Sequence, residues 1–117
     1  MKGRAPPFQF QQRHRDRMSA DSLVIMLHGI GASGAQLEPL ASSWRRQLPS
    51  TRFVSPDGPY RTSYGGHQWF KVDGLQFAPI RIREVQESFD RTISAELRRE
   101  GFDDRLDRVA FVGVSQG

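Results

Sequence analysis

The longest unbroken apolar run in the chain, Leu23-Val24-Ile25-Met26-Leu27, has strand length and carries no polar position on either face. Such a run suits a strand of a parallel sheet that is covered on both sides. It leads straight into a glycine-rich turn, His28-Gly29-Ile30-Gly31-Ala32-Ser33-Gly34. Leu37, Leu40, Ala41, Trp44 and Leu48 then recur mostly every three or four residues, which predicts a helix with one apolar face, stopped by Pro49. Arg52-Phe53-Val54-Ser55 reads as a second strand, ended by the turn residues Pro56-Asp57-Gly58-Pro59. Tyr60 to Ala78 reads as a long loop holding Gly65-Gly66, His67 and Trp69-Phe70. A long helix is predicted from Pro79 to Glu100, with Ile82, Val85, Phe89, Ile93 and Leu97 on its buried face and Gly101 placed to end it. A charged connection, Asp103 to Asp107, leads to the last strand, Arg108-Val109-Ala110-Phe111-Val112.

The order is β-α-β-α-β. Strands joined by helical crossovers pair in parallel with right-handed connections, so the predicted class is α/β, a parallel sheet with helices on its faces. At 117 residues the chain is one domain at most. It has no cysteine, which excludes disulfides and thiolate metal sites, and no apolar run approaches the roughly 20 residues needed to span a bilayer.

The formal charge of +4 is unevenly placed. Lys2, Arg4, Arg13, Arg15 and Arg17 stand against Asp16 alone, so residues 1–17 carry the whole excess and the remainder balances at twelve basic and twelve acidic side chains. The body of the protein therefore gives no electrostatic reason to expect a nucleic-acid partner. Residues 1–17 are read as a basic tail outside the domain formed by 18–117. The tail is a disordered extension, a basic arm for phosphate or membrane contact, or translated sequence upstream of a start at Met18. It has no apolar stretch of secretory-signal length, and a cytoplasmic location is expected.

The chain's last five residues, Gly113-Val114-Ser115-Gln116-Gly117, follow the last strand directly. G-x-S-x-G in that setting is the nucleophile elbow of α/β hydrolases, a strained turn that lifts the serine hydroxyl above the sheet. The flanking glycines are needed because a Cβ there would strike neighbouring backbone. A plain Gly-Ser loop closing a strand is the alternative. Acyl transfer also needs hydrogen-bond donors for the oxyanion of its tetrahedral intermediate. In this fold one is the N–H of the residue after the nucleophile, here Gln116, and the other comes from an earlier strand-to-helix loop, where Ile30 N–H is the candidate. The same turn contains Gly29-x-Gly31-x-x-Gly34 after a strand, the rival dinucleotide-binding pattern, for which Asp57 would be the ribose-binding acid. That rival leaves Gly113 to Gly117 unexplained, whereas the hydrolase reading accounts for both glycine turns.

Four blocks, Leu27 to Gly34, Ser55 to Pro59, Gly65 to Phe70 and Val112 to Gly117, occur in that order. Together they resemble the phospholipase/carboxylesterase family of α/β hydrolases, which includes acyl-protein thioesterases, over about residues 22–117. The resemblance implies a partial α/β-hydrolase fold ending at the elbow, and a serine esterase acting on a small-molecule ester or thioester. It implies a Ser–Asp–His triad, an oxyanion hole from the Ile30 and Gln116 main chain, Trp69 and Phe70 near the acyl pocket, and no cofactor or metal. Triad order in this fold is serine, then acid, then histidine, and only two residues follow Ser115, so the acid and base are absent and the chain is expected to be a truncated, inactive product. His28 is read as a brace of the oxyanion turn, and His14 belongs to the tail. His67 is the one histidine in a loop able to approach Ser115. Asp57 and Asp73 are read as a turn residue and a solvated loop residue. Arg45-Arg46 and Arg98-Arg99 are read as solvated pairs near helix C-termini, where the helix dipole favours cations.

Deleting residues 1–17 is expected to leave the far-UV circular dichroism of the remainder unchanged. A loss of β signal would show instead that Phe8 and Phe10, alternating about Gln9, pack as an edge strand.

Overall fold

A computed structural model of the chain describes residues 20–117. The basic tail, His14 and Met18 lie outside the described residues.

Three strands form a parallel sheet in the order β2-β1-β5, with β1 (Ser22–Leu27) between β2 (Thr51–Val54) and β5 (Val109–Gly113). The register sets Val24 beside Phe53 on one side and beside Ala110 on the other. Pleating sends alternate side chains of β1 to opposite faces. Leu23, Ile25 and Leu27 join Trp69, Ile93 and Phe102 in one core, with Phe89 and Leu97 packed against it. Met26 joins Ala41 and Phe53 in a second core, packed by Val24, Leu37, Leu40 and Trp44. The apolar run predicted to be buried on both faces is buried on both faces, and this is why it shows no alternation.

The helix α1 (Glu38–Arg45) covers the second core and is preceded by a 3₁₀ turn, Gly34–Leu37. It stops at Arg45, earlier than the apolar spacing predicts, and Leu48 is left exposed. Arg45 reaches back to Glu38 at 2.7 Å, and that hydrogen bond holds the Glu38 carboxyl below its usual range. The Arg45-Arg46 pair is thus divided: Arg46 is exposed, while Arg45 is half-buried and paired.

The long helix α2 (Pro79–Glu100) has the predicted bounds and packs Phe89, Ile93 and Leu97 on the first core. It ends in a Schellman arrangement: Gly101 is left-handed (φ 80°), Gly101 N–H donates to Arg98 O, and Phe102 N–H donates to Leu97 O at 2.8 Å. Phe102 is then carried into the core, where it is fully buried. Two departures mark this helix. Ile82, expected on the buried face, is exposed, because the core reaches only the later turns. Glu96 and Glu100 are buried although charged. Each has a partner, Arg99 for Glu96 and, at 2.8 Å, Arg52 of β2 for Glu100; pairing is what makes such burial tolerable.

The stretch Tyr60 to Ala78, predicted as loop, contains a small antiparallel ladder, β3 (Tyr60–Arg61) with β4 (His67–Gln68). Its turn holds Gly65 (φ 104°) and Gly66 (φ 77°), a conformation for which glycine is suited. Beyond it, Asp73 accepts from Leu75 N–H and then from the Arg81 guanidinium, and these two hold its carboxyl below the usual range.

The outer side of β5 has no strand partner among the described residues. Phe111 is 49% exposed, and Leu106 and Val114, which flank this strand in sequence, are exposed as well. An unpaired edge next to apolar surface promotes association. The 117-residue chain is therefore expected to bind 1-anilinonaphthalene-8-sulfonate and to self-associate with rising concentration. A sharp, concentration-independent thermal transition of a monomer would overturn this.

Candidate active site

The connection from β1 through α1 runs to one side of the sheet, and the connection from β2 through α2 returns past β1 to the other. Open α/β sheets place ligands where the strand order reverses in this way, outside the carboxyl ends of the strands. Here that point lies between β1 and β5, and both glycine-rich segments leave the sheet there.

At the end of β5 the chain turns sharply. Ser115 has φ 58° and is the only non-glycine residue with positive φ among those described. A serine held left-handed carries strain that only a strongly determined turn maintains. The determination is visible in the glycines. A Cβ on Gly117 would overlap the carbonyl oxygen of Leu27 at the end of β1, and a Cβ on Gly113 would lie 2.5 Å from Gly117 O. Val114 N–H donates to Leu27 O and Gly117 N–H to Val114 O, each at 3.0 Å. Ser115 is exposed, and its side chain has no hydrogen-bond partner among the described residues.

The turn after β1 lies directly against this serine: a Cβ on Gly29 would be 3.2 Å from Ser115 Cβ and 3.7 Å from its Oγ. Within the turn, Gly31 N–H donates to His67 O and Ala32 N–H to Gly29 O. Ile30 N–H has no acceptor among the described residues, nor has Gln116 N–H. The two amides named from the sequence are thus left without partners, on the two segments that meet at Ser115.

The histidines are committed elsewhere. His28 is 1% exposed. Its Nε2 accepts Gly58 N–H at 2.8 Å, so that nitrogen is unprotonated and Nδ1 donates to Gly29 O at 2.7 Å. His28 therefore braces the turn, as expected. His67 donates from Nδ1 to Gly58 O at 3.1 Å, while its Nε2 faces the Asp57 carboxylate at 3.6 Å and Arg61 at 3.5 Å. Both His28 nitrogens are thus hydrogen-bonded to main chain, and His67 Nε2 faces Asp57 and Arg61. Asp57 accepts Gly34 N–H at 2.8 Å, which makes it the turn residue expected and takes it away from the ribose role of the dinucleotide reading. A Cβ on Gly34 would strike the Ser55 carbonyl, and a Cβ on Gly66 the Gly31 carbonyl, so the space over this glycine turn is filled by the protein's own backbone. Asp73 is bound to Leu75 and Arg81 and takes no part in this site.

Trp69 is 5% exposed and lies in the core, its Nε1 donating to His28 O at 2.8 Å. Phe70, next to it, is half-buried. No group of three or more His, Asp or Glu side chains able to hold a metal ion occurs among the described residues, and no helix there is long and apolar enough to cross a membrane.

Residues 14–117 match the phospholipase/carboxylesterase family. The chain belongs to that family. Two solved structures agree with this assignment. Esterase PE8 is 28% identical, with a TM-score of 0.70, over 84% of this chain and 47% of its own. A carboxylesterase from Mesorhizobium loti is 27% identical, with a TM-score of 0.65, over 87% of this chain and 47% of its own. The chain thus spans about half the length of these phospholipase/carboxylesterase relatives. The partial α/β-hydrolase fold inferred from the four sequence blocks is the fold observed, and the dinucleotide-binding alternative is set aside.

The bracing of the turn can be tested directly. Asp57→Ala is expected to raise hydrogen exchange of the Gly34 amide about tenfold, the equivalent of roughly 1.4 kcal/mol for a charge-assisted hydrogen bond. Asp57→Asn keeps an oxygen at the acceptor position and is expected to show less than half of that free-energy change. Equal exchange in the parent and the alanine variant would remove Asp57 from the turn.

Proposed function

We propose that this chain supplies the nucleophile and the oxyanion hole of a serine esterase or thioesterase acting on a small-molecule acyl substrate. The observation that carries the reading is Ser115: a strained serine at the carboxyl end of β5, exposed, on a turn whose flanking glycines are sterically required. In the proposed reaction Ser115 Oγ attacks the acyl carbonyl carbon. The serine proton passes to a base, the carbonyl oxygen becomes an oxyanion, and the main-chain N–H groups of Ile30 and Gln116 donate to it. The intermediate collapses to an acyl-serine as the alcohol or thiol leaves with the proton, and water then releases the acid. The unpartnered state of both amides supports their role, since a donor already spent on the protein stabilises no oxyanion. Phe70 is proposed to flank the acyl group, with Trp69 supporting it from within the core.

The base and acid of the triad are proposed to come from outside residues 20–117. All four ring nitrogens of His28 and His67 are engaged or face other side chains, which supports this. We propose in addition that residues 1–19 supply neither group, so that the 117-residue chain is non-catalytic by itself. A cytoplasmic setting belongs to the same proposal.

The 117-residue chain is expected to show no Ser115-dependent hydrolysis of p-nitrophenyl acetate or butyrate, since loss of the base alone costs a serine hydrolase about 10⁶ in kcat. Fluorophosphonate probes, which need an activated serine, are expected to leave it unlabelled. In a form that also carries an acid and a base, both signals should appear and Ser115→Ala should abolish them. Strong labelling of Ser115 in the short chain would refute the placement of the base, and hydrolysis that survives Ser115→Ala would refute the nucleophile.

A further inference from the structure

Gln116 offers more than a main-chain N–H. Both polar atoms of its carboxamide bond to one earlier segment: Oε1 accepts Trp69 N–H at 2.6 Å, and Nε2 donates to Phe70 O at 2.8 Å. That segment is also tied to the other half of the site. His67 N–H donates to Ala32 O, and His67 O accepts Gly31 N–H, each at 2.8 Å. The Trp69 indole N–H donates to His28 O at 2.8 Å. Residues 67–70 therefore form a strut with one end on the turn that carries Ile30 N–H and the other on the elbow that carries Gln116 N–H. The Trp69 end is buried, so the strut is backed by the core.

We propose that the Gln116 carboxamide is a positioning residue, fixing the spacing of the two oxyanion donors by clamping the elbow to the strut formed by residues 67–70. This rests on the reading of Ser115 as nucleophile. The physical need is specific. A developing oxyanion is stabilised only by donors about 3 Å away that are already aimed at it, and the two donors here lie on separate segments of chain. The elbow itself is held to the sheet by Val114 N–H on Leu27 O. That bond lies before the serine, and the one after it, Gly117 N–H on Val114 O, closes the turn only on itself, so neither ties the Gln116 peptide to the strut. The carboxamide fixes it from the far side. The clamp needs an acceptor and a donor on one planar group at this reach, which glutamine supplies and a protonated glutamic acid imitates; an ionised glutamate can accept from Trp69 N–H but meets the Phe70 carbonyl with like charge.

Two measurements test the clamp. The first is hydrogen exchange of the 117-residue chain. Gln116→Ala should raise exchange of the Trp69 main-chain amide about tenfold, through local opening, while the Gly31 amide keeps its protection. The second is hydrolysis of p-nitrophenyl butyrate by a form of the protein that shows Ser115-dependent turnover. There Gln116→Ala should lower kcat about 10–100-fold, less than the 10²–10³ lost with a whole oxyanion donor. KM should stay within about threefold, the signature of an interaction made in the transition state. Gln116→Glu should be impaired as strongly at about pH 8, and its kcat relative to the parent should recover as pH falls towards the carboxyl range near 4.3. Unchanged Trp69 exchange in Gln116→Ala, a kcat within twofold of the parent, or a Gln116→Glu ratio that is flat with pH would each overturn the proposal. Ser115→Ala that hydrolyses as fast as the parent would instead sink the nucleophile reading, and the exchange measurement would still report whether the clamp exists.

Discussion

The site depends on close packing at the carboxyl end of β1, where a Cβ on Gly113 or Gly117 would overlap backbone and one on Gly29 would crowd Ser115. Gly117 approaches the Leu27 carbonyl, Gly29 approaches Ser115, and Gly113 approaches Gly117. The two turns leaving these strands can meet this closely only because β1 and β5 are adjacent and parallel, so their ends emerge side by side. That adjacency in turn needs β1 to be central, with Leu23, Ile25 and Leu27 buried against α2 and Met26 against α1. The strain at Ser115 is thus held by sheet pairing and two cores together with the glycines of the pentapeptide that contains it.

The polar residues around this contact are spent on rigidity. His28, His67 and Asp57 could each be mistaken for catalytic groups. In the structure they tie the first glycine turn to the segments that follow β2: His28 to Gly58, His67 to Gly58, Gly31 and Ala32, and Asp57 to Gly34. A glycine-rich turn is loose by nature, and one that must present a free amide in a fixed direction has to be braced from outside. This bracing leaves the main-chain N–H of Ile30 unspent, free for the donor role proposed for it.

The strands β1, β2 and β5 and the helix α2 were legible because each has a local cause: an unbroken apolar run, a pair of turns, a stripe every three or four residues and a glycine stop. The elbow was legible because its glycines are obligatory and leave a fixed pattern. The small ladder of β3 and β4 was not, since two residues per strand carry no periodicity; Gly65-Gly66 was its only signal. The early end of α1 and the exposure of Ile82 were also hidden, because apolar spacing describes a helix face and says nothing of how far the partner surface extends.

Sequence alone therefore determined the α/β class, the order of its main elements, the family and the two amides and one serine worth naming, since these follow from local pattern and steric necessity. Tertiary structure decided what the other polar groups do. Gln116 meets Trp69 and Phe70 across 46 or 47 intervening steps of chain, His28 meets Gly58 across 30, and Glu100 meets Arg52 across 48. A side chain's role is fixed by which partner lies within about 3 Å of it. For pairs so distant in sequence, that is set by how the sheet and its helices pack and not by any spacing along the chain.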